Sequence, residues 1–133
     1  MSNKKNETTA ILNGIAAIKN NEDLIEFCKN NGWKQKKDRL IHNTDAISLY
    51  LSTDIRLNRK TLMTHYSELY NLLVEIYRIK DLRGITQTKL GEMAGIANGT
   101  LGTLIHAQMV VTYATIEVLC KALGLKMYLK IIE

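Results

Sequence analysis

The apolar positions of this chain change rhythm along its length, and each rhythm predicts an element. Residues 9–19 carry Ile11, Leu12, Ile15 and Ile18 at helical spacing, with Thr8 or Thr9 placed to cap the start. The polar residues 1–8 before them are expected to fray. A second helix is predicted over residues 22–30, with Leu24, Ile25, Phe27 and Cys28 apolar and Asn30, Asn31 and Gly32 as its stop signal. Trp33, the single tryptophan, is expected to anchor this region onto the core. Residues 39–57 are ambiguous, because RLIHN and ISLYL suit a strand as well as a helix; a helix over residues 45–52 is the expectation. Residues 58–83 give one long helix or two abutting ones, with Leu62, Met63, Tyr66, Leu69, Leu73, Ile76 and Tyr77 on a broad apolar face. After Gly124 the period becomes two. Leu125, Met127, Leu129 and Ile131 alternate with Lys126, Tyr128, Lys130 and Ile132, which predicts a short C-terminal strand whose partner comes from residues 39–51 or from a second copy of the chain.

Residues 87–106, QTKLGEMAGIANGTLGTLIH, carry the most specific pattern. Two short helices are predicted to pack through Leu90, Met93 and Ala94 on the first and Leu101, Leu104 and Ile105 on the second, with Gly95 as the turn. Such a turn needs positive φ, which glycine reaches without a Cβ clash. Gly91 lacks a side chain where the helices must cross closely, and Ile96 is placed to plug the crossing. Thr86 is a suitable N-cap for the first of the pair, and Asn98 a cap or early residue of the second. This is the spacing of a DNA-reading helix-turn-helix.

On these residues the chain resembles the Cro/repressor type of helix-turn-helix, the xenobiotic-response-element family. EIYRIKDLRGITQTKLGEMAGI is similar to that family's first helix, its Gly-apolar-Thr-Gln junction at Gly84, Ile85, Thr86 and Gln87, and its second helix. IEVLCKALGLKM resembles the closing helix, with Ala122, Leu123 and Gly124 in the family's Ala-Leu-Gly positions. The resemblance covers about half of the chain. It implies a mainly α protein: a lambda-repressor-like helix-turn-helix domain over residues 67–133 that ends in the strand, preceded by a helical N-terminal extension of unknown role over residues 1–66.

In this motif the second helix enters the major groove by its N-terminal end while the first crosses the phosphates. The exposed candidates on the reader are Ala97, Asn98, Gly99, Thr100, Thr103 and His106. An asparagine amide can bond an adenine edge in two places, and threonines reach base edges, thymine methyls or phosphates, so Asn98, Thr100 and Thr103 are the expected readers. Gln87 matches the family's phosphate-contacting glutamine, with Thr88 and Lys89 as supports. The departures also matter. The reader has neither Arg nor Lys, so the common two-pronged contact to guanine is missing. Gly99 and Gly102 weaken the helix, by about 1 kcal/mol each relative to alanine in an exposed interior. Where the family commonly has a charge late in this helix and a Gly-Lys or Gly-Arg pair after it, this chain has Ile105, Ala107 and Gln108.

Composition narrows the class. The chain has 133 residues, 46% of them apolar, and no proline, which suits a folded, mostly helical protein of one domain or a small domain with an ordered extension. Its net charge of +5 is uneven: residues 1–66 hold 11 Lys and Arg against 7 Asp and Glu, and residues 67–133 hold 7 against 6. Lys34, Lys36, Lys37 and Arg39, with Arg56, Arg59 and Lys60, are candidate phosphate contacts; the bland reading is a solvated surface. Cys28 and Cys120 have neither metal-ligand nor redox spacing and read as small buried apolar residues in a reducing cytoplasm. No apolar run is long enough for a membrane span, and the first residues lack a signal peptide's apolar core.

His42, His65 and His106 have no spacing that gathers a metal site or a catalytic pair. No nucleophile elbow, phosphate-binding glycine loop or carboxylate pair is present, so neither an enzyme nor a cofactor is expected. The expectation is a cytoplasmic, sequence-specific DNA-binding regulator, a homodimer that reads an inverted repeat in double-stranded DNA and represses. The alternative is a helix-turn-helix protein that mainly binds another protein. KALGLKMYLKII resembles antitoxins of the HigA type, which hold a toxin, and phage-encoded inhibitors of host defence use the same small fold. A ligand sensor or small enzyme within residues 1–66 is a third class, which a pocket lined by polar groups would support.

Overall fold

A computed structural model of the chain describes residues 4–43, 48–128 and 131. Among them are seven helices and one small antiparallel sheet. The extension contributes α1 (Lys4–Ala17), α2 (Asn21–Asn30), β1 (Trp33–Lys36), β2 (Arg39–His42), β3 (Ser48–Tyr50) and α3 (Ile55–His65). The rest is α4 (Glu68–Leu82), α5 (Gln87–Ala94), α6 (Asn98–Ile105) and α7 (Tyr113–Ala122).

Local chemistry accounts for most helix boundaries. The side chains of Asn20, Asp54, Ser67, Thr86 and Thr112 each accept a first-turn backbone N–H and so start α2, α3, α4, α5 and α7. Ser67 also decides between one long helix and two. Its Oγ takes the Tyr70 N–H at 3.1 Å, which opens a new helix directly after α3 ends at His65. Residues 1–3 lie outside the described residues, but the expected fraying does not extend to residues 4–8, because α1 begins at Lys4. Lys and Glu are good helix formers, and a polar first turn needs no core contact to be helical. Thr8 and Thr9 therefore lie inside α1 rather than at its cap.

The extension is not wholly helical. β1 and β2 form a hairpin in which Lys36 pairs with Arg39, and β3 joins the other edge of β2 with Leu40 opposite Leu49. The helix expected over residues 45–52 is corrected: 44–47 lie outside the described residues, and Ser48–Tyr50 is a strand whose Leu49 is buried while Tyr50 faces out. Pairing with β2 outweighs the weak local preference. Trp33 is buried, as expected, and its Nε1 donates to the Tyr66 hydroxyl at 3.1 Å.

The predicted C-terminal strand is also corrected. Residues 125–128 form no strand, and residues 129, 130, 132 and 133 lie outside the described residues. Leu125 donates its N–H to the Cys120 carbonyl at 2.7 Å, and Leu125 and Met127 pack on the core of α4–α7. Over residues 125–128 the alternation lays the chain on that core without a strand partner.

Two apolar clusters result. One gathers Ile15, Ile18, Leu24, Cys28, Trp33, Leu40, Leu49 and Leu62 from the extension. The other gathers Tyr70, Leu73, Ile76, Leu90, Leu101, Leu104, Val111, Ile116 and Leu119 from α4–α7 and the loop before α7. Burying each such aliphatic side chain contributes about 1.5–3 kcal/mol. Rings bridge the clusters: His65 packs on Trp33, His42 and Tyr66 on one side and on Tyr70 on the other, with centroids 4.8–5.2 Å apart.

Candidate nucleic-acid interface

α5 and α6 meet at a crossing without room for a side chain. A Cβ on Gly91 would stand 2.5 Å from the Ile96 carbonyl oxygen, and the Ile96 N–H donates back to the Gly91 carbonyl at 2.9 Å. Gly95 makes the turn at φ +72°. Leu90, Leu101 and Leu104 are buried beneath the crossing, and Ala94 and Ile105 are half-buried against the same core. Met93 departs from the expected packing, since it is 42% exposed. α6 starts at Asn98, so that residue is the first of the helix and not its cap. The N-cap is Ala97, whose side chain cannot bond a first-turn amide, and those amides are left for solvent or a ligand.

Gln87 heads α5 and reaches across to α6. Its Nε2 donates to the Asn98 carbonyl at 3.2 Å and to Asn98 Oδ1 at 3.1 Å, and its Oε1 accepts the Tyr77 hydroxyl proton at 3.0 Å. The chain from Tyr77 through Gln87 to Asn98 fixes the first turn of α6 against α4. Burial and, less strongly, the Asp81 carboxylate push the Tyr77 phenol up to about 12, so it remains a donor at any ordinary pH. With Oδ1 engaged by Gln87, the Asn98 amide keeps its Nδ2 donors and a second lone pair for a base edge.

The remaining candidates are spread over the outer face of the motif. Thr100 and His106 are exposed, and Gly99 has open space where a Cβ would stand. Thr103 bonds back to the Gly99 carbonyl at 2.9 Å, which commits its hydroxyl proton to the helix. Thr88 and Lys89 are exposed on α5, and Lys89 makes a loose pair with Glu92 at 3.8 Å. Lys34, Lys36 and Lys37 project from the β1–β2 hairpin, and Arg39 lies over the Tyr50 ring at 5.6 Å. That hairpin packs on α2 and belongs to the other apolar cluster.

Two supports were hidden in the sequence. Lys80 is 5% exposed, donates to Asp81 Oδ1 at 2.6 Å and to the Ile85 carbonyl at 3.4 Å, and lies 5.0 Å from the Tyr77 ring centroid. It ties the end of α4 to the junction before α5. The Tyr70 hydroxyl donates to the Ile105 carbonyl and holds the other end of the reader. For Tyr70, a tyrosine at a position where leucine would pack as well was the available signal.

Residues 75–127 match the Cro/C1-type HTH DNA-binding domain. The C-terminal half of the chain holds a Cro/C1-type helix-turn-helix domain. In the Cro/C1-type domain α5 and α6 are the helix-turn-helix pair, and α4 and α7 pack beside them. No curated protein and no solved structure matches the chain. Among the described residues no three His, Cys, Asp or Glu side chains gather so as to hold a metal ion, and no helix is long and apolar enough to cross a membrane.

Proposed function

We propose that the chain is a sequence-specific transcriptional regulator of the cytoplasm. It acts as a homodimeric repressor that reads an inverted repeat with α6 in the major groove. One observation carries this reading: in a Cro/C1-type domain, Gln87 braces the exposed Asn98 at the free N-terminal end of α6. Asn98 reads an adenine edge, Thr100 and Thr103 touch bases or thymine methyls, and Thr88, Lys89 and the first-turn amides meet phosphates. Gly99 lets the backbone approach closely, and His106 reaches the far strand. The two-fold face is the cleft of about 230 Å³ between α4 and α7, where Leu72, Ile76, Ile116, Leu125 and Met127 line one surface. Residues 1–66 build their own apolar cluster, which the His65 and Tyr70 rings tie to the helix-turn-helix domain.

A second reading, a protein-directed role such as an antitoxin or an inhibitor of a defence protein, has one observation in its favour. The reader has no cation, and Met109, Val110 and Tyr113 beside it are 43–57% exposed. The test is binding of the purified protein to its own upstream DNA across a salt series, beside the Asn98→Ala, Thr103→Ala variant. Tight binding that weakens with salt and is lost in the variant supports the regulator. Weak, sequence-blind binding that the variant leaves unchanged overturns it in favour of a protein partner.

A further inference from the structure

The α3 helix carries a cationic face at the end of the reader. Arg56, Arg59 and Lys60 follow one another at i, i+3 and i+4, which places them on one side of the helix. They line a cleft of about 490 Å³ whose other walls include Met63, Ser67 and Val110. Val110 belongs to the loop that follows α6, and Ser67 caps α4 three residues before Tyr70, whose hydroxyl holds the Ile105 carbonyl. The cleft therefore opens at the C-terminal end of α6.

That position has a consequence on DNA. Eight residues of α-helix span about 12 Å, and the major groove is about 12 Å wide. A reader that enters by its N-terminus brings its other end to the groove's rim, where the flanking phosphates run. The local charge suits them. Arg56 is paired with Asp54, at 3.3 Å from Nε to Oδ1, while Arg59 spends one donor on the Ala16 carbonyl at 3.3 Å, and Lys60 has no ion pair among the described residues. Among the described residues these three cations have one carboxylate partner, Asp54. Lys34 and Lys37 of the hairpin line a different recess, with Lys29 and Trp33.

We infer that Arg56, Arg59 and Lys60 form a sequence-independent grip on the phosphates flanking the half-site, which makes the extension part of the DNA footprint. This rests on the proposed function. It also supplies the charge that α6 lacks.

The experiment uses the full-length protein and two duplexes selected for binding, one ending at the base-read site and one with about ten further base pairs on each side, roughly one helical turn. The probes are the Arg56→Gln, Arg59→Gln, Lys60→Gln triple variant, a Lys19→Gln, Lys29→Gln charge control at two exposed lysines, and the single Lys60→Glu variant, which gives up no side-chain hydrogen bond. On the long duplex the triple variant should lose at least about tenfold in affinity at moderate salt. The slope of log K against log salt should fall by roughly two to three for each half-site, about five for the homodimer, at about 0.9 per phosphate contact. Lys60→Glu should weaken binding in the same direction, the charge control should leave it unchanged, and the short duplex should not distinguish the triple variant from the parent. An unchanged slope on the long duplex, or equal losses on both duplexes, overturns the inference while leaving the reader intact. If the triple variant binds DNA as the parent does but loses an acidic peptide ligand, the cleft belongs to a protein partner. A parent that selects no duplex at all overturns the proposed function and this inference together.

Discussion

Replacing Gly91 with alanine adds one methyl group at the point where α5 and the connector to α6 touch. In an open helix that change stabilises by about 1 kcal/mol. Here the new Cβ would stand 2.5 Å from the Ile96 carbonyl oxygen, inside the 3.0 Å limit below which such contacts are essentially not found. The obstacle is backbone. Ile96 cannot retreat easily, because its own N–H is bonded to the Gly91 carbonyl, so moving the oxygen also strains the bond that closes the turn. Overpacking costs about 1–3 kcal/mol, and a backbone obstacle puts it in the upper half of that range, so after the propensity gain the net loss is roughly 1–2 kcal/mol. Urea unfolding should show it as a lower midpoint with an unchanged slope, and heating as a melting temperature roughly 3–8 °C lower. Gly99→Ala and Gly102→Ala are the controls. The first meets open space and the second only Gln87 Nε2 at 3.6 Å, an ordinary contact, so both should stabilise by about 0.5–1 kcal/mol. A Gly91→Ala protein as stable as these two would refute the reasoning, since it would mean the crossing has slack.

Asn58→Ala should destabilise by about 2–3 kcal/mol in urea unfolding, because this 1%-exposed amide accepts from the Ser52 N–H and donates to Asn21 Oδ1 and the Ser52 carbonyl. A loss under about 0.5 kcal/mol would mean that water takes its place. Tyr77→Phe should cost about 1 kcal/mol of stability and lower affinity for the selected duplex several-fold by releasing Gln87; unchanged affinity would show that the brace plays no part in reading. Alkaline pH should destabilise the fold. Burial pushes Cys28 up to about 12 from 9.0, and Tyr77 rises to about 12 from 10.0, so the unfolded chain loses these protons first. Stability should be independent of these groups below about pH 9 and then fall by about 1.4 kcal/mol per pH unit for each group titrating only when unfolded. Unfolding midpoints from pH 7 to 11, with Cys28→Ala removing the earliest part of the fall, check the sign.

The helix-turn-helix was legible because single residues there answer to single constraints: a glycine at φ +72°, a glycine with no room for Cβ, and a threonine that caps at the expected place. The sheet was not, because strands of three or four residues carry too few alternations to be told from a helical turn. Its hairpin also turns through Lys37 at φ +57° where a glycine would have announced it. The tail misled for a related reason: Leu125 and Met127 are spaced as in a strand, but a chain lying along a core buries alternate residues without any strand partner. His42 and His65 show the limit of spacing arguments. They lie far apart in sequence, and the sheet brings their rings to 5.2 Å within an aromatic cluster. Likewise the apolar stripe of α4 gave the positions of Tyr70 and Tyr77, but only the fold shows where their hydroxyls are spent.

Tyr70 belongs to both halves of the molecule. Its ring meets His65 of the extension and its hydroxyl holds the last carbonyl of the reader, so this one side chain links the extension to the reader. Their energies are then not additive: a substitution at Trp33 or His65 changes the worth of the Tyr70 bond, and a double-mutant cycle across Tyr70 should return a nonzero interaction energy. For anyone dissecting this chain, removing the extension would amount to a mutation of the reader.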